Sequence, residues 1–225
     1  MLRQHPQIFM SSVKEPSYFC SYFQVVKDPI TYFQLFNPVD IQTAIGEASH
    51  VYLSNPESAP VIHALFPTAR FVLILRNPTE RAYSLYHWAR HAKLEPVETF
   101  EEAIEVENQR YADKEFFRKC PQYFWNFMYV KSSYFHVQLQ RYLRFYARDQ
   151  FFILSLNELT SDPLHWMQRI FRFLEVDSTF SPTIEHLNSR PYPPILMETK
   201  QRLDDHFLKT ISATNDLAGR DLNLR

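Results

Sequence analysis

The sequence predicts an α/β fold in which a parallel sheet is flanked by helices. Two short and wholly apolar runs, Phe71–Leu75 and Phe151–Leu154, indicate buried strands. Each run is followed by an asparagine or aspartate and then a proline, at positions 77–78 and 162–163, which is a typical helix start. Helical patterns separate the two strand-turn-helix units. Units arranged in this order are typical of a parallel sheet.

The part of the chain before the first apolar run gives weaker signals. Residues 1–9 predict the end of a helix that runs into a loop at His5-Pro6. The aromatic stretch 17–36 is broken by Pro29 and predicts loops and short helices. Residues 41–49 predict a short helix.

The first strand-turn-helix unit has the clearest local signals. Asn77 is a good N-cap, Pro78 suits the first helical position, and Glu80 stands three residues past the cap. The pattern therefore predicts a helix from about Pro78 to His91.

The remaining helices follow from caps and apolar spacing. Thr99 and Glu102 form a capping-box pattern that opens a helix to about Arg110, and the acidic stretch 95–107 is expected to be a solvated face. Apolar residues at helical spacing predict an amphipathic helix over 129–146, with Lys131–Tyr134 on its surface. Further helices are predicted over 165–174 and 198–211.

Length and composition exclude several classes of protein. With 225 residues the chain is long enough for one domain, and its 24 basic and 25 acidic residues nearly cancel. Such a balance predicts no nucleic-acid partner, because a nucleic-acid-binding domain is usually strongly basic. No apolar run approaches the ~20 residues of a membrane span. The two cysteines are expected to be free thiols, and the chain is expected to be cytoplasmic.

Glycine is scarce, and this excludes the common phosphate-binding loops. The sequence has only Gly46 and Gly219. A glycine-rich cradle needs glycines close together, because its backbone must turn tightly and approach the phosphate. The sequence therefore contains no Walker-A loop, no kinase-type glycine loop and no dinucleotide-binding fingerprint.

The segment from Arg76 to Ser84 has the chemistry of an anion site. Arg76 follows a buried strand, at the sheet edge where open α/β folds place ligands. The next helix directs its amino end and free N–H groups to the same place. Ser84 lies two turns along the helix on the face of Asn77. An arginine and a hydroxyl together suit a phosphate monoester. The alternative is an ordinary helix start with a surface arginine and a core-facing serine.

The same segment, FVLILRNPTERAYSLY over residues 71–86, resembles the 3′-phosphate-binding motif of the sulfotransferases that use 3′-phosphoadenosine-5′-phosphosulfate (PAPS). The resemblance is to the bacterial and heparan-sulfate-type branch. HPQIFMSSVKEPSYF over residues 5–19, FFILSLNELTSDP over 151–163 and GRDLNL over 219–224 are similar to other segments of that family. The resemblance covers essentially the whole chain. It implies one sulfotransferase-like domain over residues 1–225, with a P-loop-NTPase-like sulfotransferase fold.

The resemblance also implies roles for individual residues. The positions that bind the 3′-phosphate of PAPS fall on Arg76 and Ser84. The position of the general base falls on Glu15, and Lys14 is expected to stabilise charge on the transferred group. The implied reaction moves a sulfuryl group from PAPS to a hydroxyl or amine of a carbohydrate or small-molecule acceptor, and releases adenosine 3′,5′-bisphosphate (PAP). It requires no metal ion. His87 and His91 are four apart but lack the glutamate of a zinc protease motif.

The sequence departs from the family pattern at its start. Family members begin with a strand and a loop of the type Gly-x-x-Lys-x-Gly-Thr that wraps the phosphosulfate, and the resemblance begins after both. Two expectations follow: the natural protein is longer, or this chain is a catalytically impaired remnant. A non-catalytic nucleotide-binding or interaction protein is the first alternative function. A kinase-like phosphotransferase is the second, and the absence of a Walker-type loop argues against it.

Overall fold

The computed structural model describes residues 1–38, 41–184 and 191–225. Within these ranges the strands are β1 (Ile8–Met10), β2 (Ala44–Gly46), β3 (Phe71–Leu75) and β4 (Phe151–Ser155). The α-helices are α1 (Pro29–Gln34), α2 (Val51–Ser54), α3 (Ser58–Leu65), α4 (Pro78–His91), α5 (Phe100–Glu105), α6 (Glu107–Ala112), α7 (Lys114–Lys119), α8 (Phe135–Leu143), α9 (Leu156–Ser161), α10 (Pro163–Phe173) and α11 (Met197–Ala218). Short 3₁₀ helices cover Leu2–Gln4, Phe124–Phe127, Lys131–Ser133 and Arg148–Gln150.

The strands pair in parallel, as the sequence predicts, but they form two separate sheets. β1 pairs with β2, with Ile8 opposite Ala44. β3 pairs with β4, with Phe71 opposite Phe151. The α/β class with helices around parallel strands is therefore confirmed. In the described residues, however, the two pairs are not joined into one sheet.

A cavity of about 620 Å³ lies between the two sheets. All residues of β2 and β3 line it, whereas β4 contributes only Phe151. β2 and β3 thus each turn an unpaired edge to the same space. Ile45 is 52% exposed and Ile74 is 49% exposed, although strands of parallel sheets are normally buried on both faces.

Two hydrophobic cores cover the faces of the β3–β4 sheet. In the larger core, residues of α4, α8 and α11 pack against Leu75, Phe151 and Ile153. In the smaller core, α10 packs against Leu154 on the opposite face. The alternation of side chains along each strand accounts for this division, because successive residues point to opposite faces.

The first predicted strand-turn-helix unit is confirmed; in the second the strand and the helix are confirmed, but α9 joins them in place of a turn. The Asn77 side chain accepts a hydrogen bond from the backbone N–H of Glu80 at 2.9 Å, and α4 begins at Pro78. The Asp162 side chain accepts one from the N–H of His165 at 3.1 Å, and α10 begins at Pro163. Both units form because a short polar cap satisfies a free amide at the point where proline presets the first helical turn.

Several of the weaker predictions are wrong. Residues 41–49 do not form a helix; they contain β2, and residues 1–9 contain a 3₁₀ turn followed by β1. A strand of three residues is too short to show an alternating pattern, and its partner lies far away in the sequence. The helix predicted over 129–146 begins only at Phe135, after a 3₁₀ turn.

The acidic stretch 95–107 also differs from its prediction as a solvated face. Glu95 and Glu107 are both buried, and the predicted helix is divided into α5 and α6 at Val106. The Glu95 carboxylate accepts hydrogen bonds from both Nη groups of Arg110, at 2.6 and 2.7 Å, and from the hydroxyl of Tyr129 at 2.6 Å. A buried carboxylate is tolerated here because it is paired and hydrogen-bonded.

The end of the chain is tied to the β3–β4 sheet. Gly219 ends α11 in the left-handed conformation, with φ of 69°, which a residue without Cβ adopts readily. Arg220 then donates hydrogen bonds to both carboxylate oxygens of Glu158 and to the carbonyl of Ile153. The last helix and the final segment are thereby fixed to β4 and α9.

Candidate functional site

Two of the four residues predicted for the site line the cavity between the sheets. Arg76 extends from the carboxyl end of β3, and Glu15 follows β1 by a short segment. Lys14 and Ser84 are not among the residues that line the cavity. Lys14 is exposed beside Glu15, and Ser84 is half-buried on α4.

Arg76 already has one anionic partner. Its Nε lies 3.1 Å from a carboxylate oxygen of Glu80, one helical turn along the chain. Within the described residues its two Nη groups make no hydrogen bond. The Arg76–Glu80 pair is half-exposed, so it is weak and leaves donors for a second anion.

The part of α4 around Ser84 is covered by a loop. The hydroxyl of Tyr83 donates to the carbonyl of Pro193 at 2.9 Å. The ring of His87 stacks on that of Tyr192 at 4.7 Å. Ser84 therefore lies on a helix whose neighbouring side chains hold the segment 191–194.

Glu15 is held by a single neighbouring residue. One of its carboxylate oxygens, Oε2, accepts a hydrogen bond from the backbone N–H of His50 at 2.7 Å and lies 2.7 Å from Nδ1 of the same residue. Burial alone would raise the pKa of Glu15, but the hydrogen bonds from His50, and the charges of His50 and Lys14, hold it below its usual value. The Glu15 carboxylate is thus fixed and ionised at the cavity wall.

The backbone around Glu15 is unusual and is supported from β2. Glu15 and Ser17 have φ of 56° and 51°, in the left-handed region. The N–H of Ser17 donates to the hydroxyl of Ser49 at 3.0 Å, and that hydroxyl donates to Glu47 at 2.6 Å.

Glu47 in turn accepts hydrogen bonds from the hydroxyls of Tyr32 and Tyr52, at 2.8 and 2.7 Å. Burial raises the pKa of Glu47, and these hydroxyls only partly oppose that effect. The segment after β2 therefore shapes the turn that carries Glu15.

Arg81 forms a second cationic part of the cavity wall. Its Nη1 donates to the hydroxyls of Ser132 at 2.6 Å and Ser133 at 3.1 Å. Both serines are buried, so the expectation that Lys131–Tyr134 lies on a helix surface is wrong for them. Burial lowers the pKa of Arg81 to about 10.

The structure adds residues that the sequence did not single out. His50 and Glu47 lie directly after a strand too short to recognise. Arg81 stands inside the motif that carries the resemblance, on α4, where it is half-buried. Its place within that motif was the available signal.

Two classes of feature are not found in the described ranges. Across residues 1–38, 41–184 and 191–225, no cluster of three or more histidine, cysteine, aspartate or glutamate side chains is placed to bind a metal ion. In the same ranges no helix has both the length and the apolar character needed to cross a bilayer.

Comparison with known proteins gives consistent matches. The chain is 25% identical to the membrane-associated sulfotransferase kil1 of Dictyostelium discoideum, over 98% of its own length and 62% of that protein. It is 29% identical to human bifunctional heparan sulfate N-deacetylase/N-sulfotransferase 2, over 78% of its length and 20% of that protein. The chain thus spans less than two thirds of either relative.

A solved structure and a family model agree with these matches. A sulfotransferase from Alicyclobacillus acidocaldarius superposes with a TM-score of 0.82 at 27% identity, over 98% of this chain and 89% of that one. The model of the sulfotransferase domain family matches residues 50–193, which include β3, α4 and β4. The chain therefore belongs to the sulfotransferase domain family.

Proposed function

We propose that this protein transfers a sulfuryl group from PAPS to a hydroxyl or amine of a carbohydrate or small-molecule acceptor. The observation that carries the proposal is that Glu15 and Arg76 line the same cavity. A base and an anion-binding group on one cavity are what the transfer of a charged group to a hydroxyl requires. The name of the human relative, an N-sulfotransferase acting on heparan sulfate, supports an acceptor that is a carbohydrate amine.

Arg76 and Ser84 are the proposed ligands of the 3′-phosphate of PAPS. The free Nη groups of Arg76 suit phosphate oxygens, and Ser84 lies on α4, the helix that begins just after Arg76. Glu80 competes for Arg76, so binding of the phosphate would require Arg76 to share or exchange that partner. A single domain over residues 1–225 is part of this proposal.

Glu15 is the proposed general base. Its pKa is held below the usual value by His50, so the carboxylate is ionised at neutral pH and able to accept a proton. It would take the proton of the acceptor as the acceptor oxygen or nitrogen bonds to sulfur. The bond between sulfur and the bridging phosphate oxygen would break, and PAP would leave with the electron pair. Lys14 is proposed to stabilise the charge on the sulfuryl group.

Titration calorimetry with PAP tests the nucleotide site. We expect Arg76→Ala to weaken PAP binding by about tenfold or more, because a hydrogen-bonded charge contributes about 1.5–3 kcal/mol. Arg144→Ala, at the exposed residue that follows α8, is the matched control and should bind as the wild type does. ADP, which lacks the 3′-phosphate, should bind more weakly than PAP to the wild type but equally to Arg76→Ala.

A transfer assay completes the experiment. With ³⁵S-labelled PAPS and N-desulfated heparan sulfate, Glu15→Gln should lose transfer and keep its affinity for PAP. Equal PAP affinities of wild type and Arg76→Ala would contradict the nucleotide site. PAP binding without transfer by the wild type would instead favour a nucleotide-binding protein that does not catalyse.

A further inference from the structure

Arg81 differs from the other arginines of the cavity. Arg70 is paired with Glu175 and Arg76 with Glu80. Arg81 has no ion pair with any carboxylate in the described part of the chain. Its Nη1 is bound only to neutral hydroxyls, and its Nε and Nη2 donate no hydrogen bond to a described residue.

The carboxylate of Glu107, which lies near Arg81, already accepts hydrogen bonds from other residues. Glu107 is buried and interacts electrostatically with Arg81, but its two carboxylate oxygens accept hydrogen bonds from the backbone N–H groups of Val130 and Lys131, at 2.8 and 2.9 Å. The half-buried charge of Arg81 therefore has no direct counter-ion among the described residues. A charge held partly out of water is less favourable until an opposite charge reaches it.

Two further donors line the same wall. Ser132 is 1% exposed and accepts from Arg81, and its own hydroxyl proton has no acceptor among the described residues. Ser133 differs, because its hydroxyl already donates to the carbonyl of Tyr129 at 2.8 Å. Asn126 is 3% exposed, lines the cavity, and its side chain has no hydrogen-bond partner within residues 1–38, 41–184 and 191–225.

We propose that Arg81, Ser132 and Asn126 form a binding site for a sulfate or phosphate group inside the cavity. A guanidinium, a hydroxyl and an amide offer donors to several oxygen atoms of one tetrahedral anion. The group could be carried by the nucleotide donor or by a sulfated acceptor, and its chemistry is the same in both. The site uses residues other than Arg76 and Ser84, and it does not depend on the proposed transfer activity.

Titration of the protein with inorganic sulfate tests the site. Sodium chloride at matched ionic strength is the reference, because sulfate also stabilises folded proteins without binding a specific site. We expect saturable sulfate binding by the wild type, weakened about tenfold or more in Arg81→Gln and about fivefold in Ser132→Ala. Arg70→Gln removes a charge from the same cavity whose partner is Glu175, and its sulfate affinity should stay within about twofold of wild type.

Competition identifies the source of the group. Displacement of sulfate by adenosine 5′-phosphosulfate assigns the site to the donor, and displacement by a sulfated disaccharide assigns it to the acceptor. Absence of saturable sulfate binding by the wild type overturns the proposal. So does equal affinity in wild type and Arg81→Gln, or, if Arg81→Gln fails to fold by circular dichroism, equal affinity in wild type and Ser132→Ala.

Discussion

At the scale of single residues, the most informative contact is that between Glu15 and His50. The backbone N–H and the ring Nδ1 of His50 both lie within hydrogen-bond distance of the same carboxylate oxygen of Glu15. The other oxygen, Oε1, makes no hydrogen bond to a described residue and would accept the proton in the proposed reaction. The carboxylate of Glu15 is consequently oriented by one residue, while Lys14 acts on it only through its charge.

Removal of the His50 side chain should raise the pKa of Glu15. In His50→Ala the burial that raises this pKa persists, whereas the side-chain hydrogen bond and charge that lower it are lost. Because the folded pKa is depressed, the contact stabilises the protein above the unfolded pKa, and this stabilisation disappears as the pH falls through the folded pKa. The stability difference between His50→Ala and wild type should therefore vanish in acid.

Carbon-13 NMR titration of the glutamate carboxyl groups measures this effect. His50→Asn keeps a side-chain N–H and should show a smaller shift than His50→Ala, and His165→Ala, on an exposed helix position, should show none. An unchanged Glu15 pKa in His50→Ala would refute the positioning role.

At the scale of elements, local chemistry explains what the sequence could predict. β3, α4, β4 and α10 were predicted because each strand is an apolar run and each helix begins with a capping side chain followed directly by a proline. β1 and β2 were not predicted, because each has only three residues and pairs with a strand more than thirty residues away in the sequence. The residues of the candidate site likewise fall into those that the sequence predicted and those that only the structure revealed. Glu15, Arg76 and Ser84 stand in motifs, but His50, Arg81 and Ser132 are brought together only by tertiary packing.

The buried Glu95 joins three elements that the sequence did not connect. It links the end of α4, through the loop that follows, to Arg110 on α6 and to Tyr129. Glu95→Gln should lower the free energy of unfolding by about 3–5 kcal/mol, because it leaves the Arg110 charge buried without its partner. Urea unfolding measures the change.

Glu98→Gln is the control for that change, because Glu98 lies on the exposed side of the same loop. Its free energy of unfolding should differ from wild type by no more than about 0.5 kcal/mol. A similar loss of stability in both variants would show that the Glu95–Arg110 pair has no special role.

At the scale of the whole molecule, the separation of the strands into two sheets leaves one edge of β3 at the cavity, so paired residues of β3 and β4 should contribute unequally to the free energy of unfolding. Ile74 and Leu154 are paired opposite each other on β3 and β4, yet Leu154 is fully buried while Ile74 is half-exposed at the cavity. Leu154→Ala should therefore cost about 2–5 kcal/mol of unfolding free energy. Ile74→Ala should cost about 1 kcal/mol, because less apolar surface is lost from the core. Equal costs in urea unfolding would mean that the edge of β3 is buried in solution.

The inward direction of the two unpaired strand edges has a consequence for self-association. An unpaired edge on a protein surface is a template for pairing with the same edge of another molecule, and this begins aggregation. Here β2 and β3 both line the cavity, so a strand of a second copy would have to enter that cavity to pair with either edge. The open backbone groups of these two edges thus lie beside the proposed binding site and are reached by way of the cavity.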